Sequence, residues 1–96
     1  MADHALLVYL PYTDTDLGPL FAIEDALMAA IEECGAGELD GNDVGGGEAT
    51  LFMYGPDADR LFEAVEATLR QLLPPGSRAV KRYGAPGAPQ NVISLP

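Results

Sequence analysis

Ninety-six residues, 48% apolar and 21% charged with a formal net charge of −10 at pH 7, suffice for one domain around one core and are too few for two. That charge excludes nucleic acid and anionic membranes as partners, since both require clustered Lys and Arg. The single cysteine, Cys34, excludes an intramolecular disulfide, and no run approaches the ~18 apolar residues of a membrane span.

Charge is unevenly placed. Thirteen acidic residues and no Lys or Arg fall between Met1 and Asp59, whereas five bases face only Glu63 and Glu66 from Arg60 onward. Such a field keeps a small protein soluble and steers a basic protein partner toward an acidic docking surface. No basic stretch precedes the short apolar run Ala5 to Leu10, so no export signal is expected and the expected location is the cytoplasm.

His4 to Leu10 (HALLVYL) is apolar without alternation, which marks a strand buried on both faces and therefore central. Turn residues follow from Tyr12 to Gly18, and Pro19 suits the first turn of a helix. From Pro19 to Cys34, Leu20, Ile23, Leu27 and Ile31 form a helical stripe that Phe21 and Met28 widen, with Glu24 and Asp25 on the other side. Gly35 is placed to stop this helix.

Gly37 to Val44 (GELDGNDV) predicts a polar edge strand and Gly45 to Gly47 a hairpin turn. Glu48 to Tyr54 (EATLFMY) predicts a second central strand, with Leu51 and Met53 on one face and Phe52 and Tyr54 on the other. Gly55-Pro56 turns the chain and Asp57 caps a second helix, whose Leu61, Phe62, Val65, Leu69 and Leu72 recur at helical spacing as far as Leu73. Arg78 to Tyr83 (RAVKRY) predicts a basic edge strand, and Asn91 to Leu95 a docked tail or short fifth strand.

Central strands flanked by polar ones in the order β-α-β-β-α-β predict one α+β domain over 1–96. Its expected form is a ferredoxin-like βαββαβ sandwich, an antiparallel sheet with two helices on one face and 84–96 as a tail. The helices then cover one face only, although the central strands offer large side chains to both. A contiguous apolar patch of that kind marks an interface, so the expectation is a homodimer; the tail folded across, or a bound ligand, are the other covers.

Few residues suggest chemistry. Asp40, Asn42 and Asp43 open like a calcium loop, but Val44 and Leu51 stand where oxygen ligands belong, so no metal is expected. Gly45 to Gly47 lead into a strand among carboxylates, unlike a phosphate cradle. Cys34 at a helix C-terminus and the lone His4 lack nucleophilic company, so no catalytic residue and no cofactor are expected. The open face carries either Phe52 and Tyr54 or Leu51 and Met53; candidate ligand- or partner-binding residues are Tyr9 and Tyr54, if the open face is theirs, with Asp40, Asn42 and Asp43 in the acidic strand.

The segment Gly37 to Leu73, with its Asp-Gly turn, glycine-rich hairpin and Tyr-Gly-Pro-Asp-Ala-Asp turn before a helix, resembles small bacterial ferredoxin-like proteins with no assigned activity. The resemblance implies no catalytic residue. The readings that follow are a dimeric non-enzymatic binding or regulatory module, an acidic immunity-type protein that antagonises a basic partner, or a small enzyme with its site at a dimer interface.

Overall fold

The apolar run at the start of the chain forms β1 (His4–Pro11), the middle strand of a five-stranded sheet, in a computed structural model that describes residues 3–95. Met1, Ala2 and Pro96, the ends of the expected 1–96 domain, lie outside the described residues. The remaining elements are α1 (Gly18–Cys34), β2 (Glu38–Gly45), β3 (Glu48–Gly55), α2 (Ala58–Leu72), β4 (Ser77–Arg82) and β5 (Gln90–Leu95). The strand order is β2-β3-β1-β4-β5, and every neighbouring pair is antiparallel. The chain is thus α+β, with β1 and β3 inside the sheet as their apolar sequences require.

The far edge differs from expectation. The basic strand β4 is interior, because β5 pairs along all of it, from Ser77↔Leu95 to Arg82↔Gln90. The sheet therefore departs from a strict four-stranded arrangement, and Gln90–Leu95 extends it sideways instead of folding across a face. Two β-branched residues, Val92 and Ile93, favour the extended chain, and Leu95, 2% exposed, anchors its end in the core.

Local signals set most boundaries. Asp57 caps α2, its Oδ1 accepting from the backbone N–H groups of Asp59 (2.9 Å) and Arg60 (3.5 Å). Gly35 ends α1 in the left-handed region at φ 62°, donating to the Glu32 carbonyl. The hairpin between β2 and β3 turns on Gly46 and Gly47, both at positive φ (62° and 80°), the two-residue geometry that matches strand twist.

Helix α1 buries Leu20, Glu24, Leu27 and Ile31, a +4, +3, +4 series that includes a carboxylate expected on the polar side. The Asn42 side chain donates to Glu24 Oε1 at 3.0 Å, which compensates that burial. Phe21 and Met28, expected to widen the buried stripe, are instead 49% and 37% exposed.

Side chains sort by face. Leu6, Val8 and Leu10 of β1 gather with Leu51 and Met53 of β3, Ala79 of β4 and Leu20, Leu27, Ile31, Leu61, Val65 and Leu69 of the helices. Alternate residues Ala5, Leu7 and Val80 form a second cluster with half-buried Tyr9, Phe52 and Tyr54.

Backbones meet closely where β3 ends. A Cβ on Gly55 would lie 2.2 Å from the Ala36 carbonyl oxygen, and one on Gly37 2.2 Å from that of Tyr54. Both obstacles are backbone atoms, which cannot swing aside. Gly55→Ala should therefore lower stability by about 1–3 kcal/mol, read as an earlier midpoint in urea denaturation.

Candidate functional site

The ladders fix which side chains share a face, since directly opposed residues point the same way. Three rows cross the second face. One runs Glu38, Tyr54, Ala5, Arg82, Gln90; the middle row is Gly41, Phe52, Leu7, Val80, Val92; the third is Asp43, Thr50, Tyr9, Arg78, Ser94. The middle row carries no charge, and its Val92 is 56% exposed. The outer rows run from a carboxylate on β2 to a guanidinium on β4. The Arg78 guanidinium lies 4.1 Å from the centre of the Tyr9 ring and reaches Glu48 Oε2 at 3.4 Å.

The five candidate residues read from sequence do not form one site. Tyr9, Tyr54 and Asp43 belong to the second face. Asn42, one residue along β2, points the other way to Glu24. Asp40 lies where the β2 register shifts between Leu39 and Gly41, a bulge that leaves it exposed and unpaired in the ladder. The calcium-like order of Asp40, Asn42 and Asp43 thus folds into a bulged strand that sends Asn42 and Asp43 to opposite faces.

Arg78 and Arg82 were missed as face residues. Their signal is the period-two spacing of Arg78, Val80 and Arg82, which places two of the chain's five bases around an apolar centre.

A polar cluster at the start of α2 had no sequence signal, because only the packing of α2 against the paired β1 and β4 brings its members together. Asp59 Oδ1 accepts from the Tyr83 hydroxyl at 2.8 Å and from Lys81 Nζ at 2.9 Å. His4 Nδ1 accepts from the Ala58 N–H at 3.0 Å, and the His4 and Tyr83 rings meet edge to face. The bonds from Lys81 and Tyr83 hold the Asp59 carboxyl below its ordinary value. Asp59 in turn raises Lys81, and its bond raises Tyr83.

A depressed carboxyl adds stability above its unfolded value near 3.8, and loses it as pH falls through the lower folded value. The raised Lys81 and Tyr83 add stability that is complete below their unfolded values of 10.5 and 10.0, and lose it as pH climbs past them. Asp59→Asn should therefore lower Tm from about pH 5 to pH 9. The gap to wild type should close in acid as Asp59 is protonated. A gap constant down to about pH 2 would contradict this account of the cluster.

A half-open cleft of about 190 Å³ lies between α1 and β2, lined by Met28, Ile31, Glu32, Gly37, Glu38 and Leu39. Among the described residues no group of three or more His, Cys, Asp or Glu converges on a metal position, and no helix is long and apolar enough to cross a membrane. No protein family matches the chain, and neither the curated proteins nor the solved structures contain a significant match.

Proposed function

We propose that the protein is a cytoplasmic, non-enzymatic binding or regulatory module that works as a homodimer, joined through the sheet face of Tyr9, Phe52 and Tyr54. In this reading both helices lie on the opposite face, in the ferredoxin-like manner that the Gly37 to Leu73 resemblance implies, with β5 added beside β4. The observation that carries it is the second cluster: no helix residue belongs to it among the described residues, yet it gathers three aromatic rings around Leu7 and Val80. Leu7 and Val80 are already buried within the chain, so the apolar surface left in water is that of half-buried Tyr9, Phe52 and Tyr54 and of exposed Val92. Covering it drives association at about 25 cal/mol per Å² before association costs. Sedimentation equilibrium at micromolar concentration tests it. A dimer supports the reading, and a monomer overturns it.

A second reading, an acidic immunity-type protein that occupies a basic partner, draws on the α1–β2 cleft, whose lining sets Glu32 beside Met28, Ile31 and Leu39. Calorimetric titration with a lysine-rich peptide tests it. Binding that weakens steeply with salt supports it, and no heat at low salt removes it.

A further inference from the structure

We propose that the second copy sits on the sheet face about a two-fold axis parallel to the strands, passing between β1 and β3. This rests on the dimeric reading above and adds the arrangement which that reading leaves open. Such an axis exchanges β1 with β3 and β2 with β4, and keeps each row level with itself. Phe52 then lies over the partner's Leu7, and Glu38 meets the partner's Arg82. One row along, Asp43 meets the partner's Arg78.

The competing axis, across the strands, lays the carboxylate edge on the carboxylate edge and the arginines on each other. Like charges set opposite one another are strongly disfavoured, so charge selects the first axis. Packed sheets cross at roughly 30°, which moves β2 and β4, about 7 Å from the axis, by only about 4 Å relative to each other. Long side chains span that offset.

The area fits a weak, reversible dimer. About this axis the four strands β2, β3, β1 and β4 overlap, and at ~4.8 Å spacing and about six residues of length they give a face of about 400 Å² per copy. Two such faces reach about 800 Å², at the small end of the interface range.

Charge exchange tests the axis by sedimentation equilibrium, with circular dichroism to confirm that each variant folds. Glu38→Lys alone sets an ammonium against the Arg82 guanidinium in both symmetric contacts, and Arg82→Glu alone sets two carboxylates together. Each should weaken its own dimer by about tenfold or more. Mixing the two variants restores both contacts, so a heterodimer near wild-type affinity is expected, and the double variant should dimerise by itself. If the mixture and the double variant stay weak while wild type dimerises, the arrangement is wrong and the dimer stands. A variant that fails to fold leaves the pair Asp43→Lys and Arg78→Glu for the same comparison. A monomeric wild type overturns both readings.

Discussion

Leu6→Ala should lower the free energy of unfolding by about 2–5 kcal/mol, the range for truncating a fully buried leucine. Leu6 is fully buried in the central strand, opposite Met53 on one side and Lys81 on the other. It belongs to the cluster that includes Leu61, Val65 and Leu69 of α2. Removing its branched end forfeits the transfer energy of three carbons and leaves a cavity that neighbours held in a sheet cannot collapse into. Urea denaturation should show an earlier midpoint with an unchanged slope. A loss below about 1 kcal/mol would mean that this core is not packed as described.

Phe52→Glu should convert the dimer to a monomer at micromolar concentration while leaving the fold intact. Phe52 is half-buried in the uncharged middle row, between Gly41 and Leu7 in the ladder. In the monomer a carboxylate there stays in water. In a dimer it would be desolvated among apolar groups without a partner, at a penalty of several kcal/mol. Loss of association with a retained circular dichroism spectrum is the expected pair of results. A dimer that persists in this variant would place the contact elsewhere.

The sequence made the central strands and the second helix legible because period and caps agreed there. Unbroken apolar runs announced β1 and β3, and Asp57 announced the start of α2. Helix α1 was harder, since Glu24 falls inside the buried series and only β2, through Asn42, supplies its partner. Strand β5 was legible as extended chain, but nothing local said which edge it would join. Composition marks Asp40, Asn42 and Asp43 as one acidic strand beside the candidate rings Tyr9 and Tyr54, whereas alternation along that strand sends Asn42 and Asp43 to opposite faces. The arginines that complete the face became visible only once β4 was placed beside β1.

Both charge and burial bear on association. Two chains of formal charge −10 repel one another at long range, but at physiological salt the Debye length is about 8 Å. The ion pairs at the rim of the face contribute little individually. Burial of Phe52, Val92 and the half-buried tyrosine rings therefore dominates, and the dimer should tighten as ionic strength rises from low to physiological.

Sedimentation equilibrium of the wild-type chain at micromolar concentration, in low and in physiological salt, is the most direct measurement of that claim. The expected result is a species of twice the 10.1 kDa chain mass, more fully populated at the higher salt. A 10.1 kDa monomer in both buffers would contradict it.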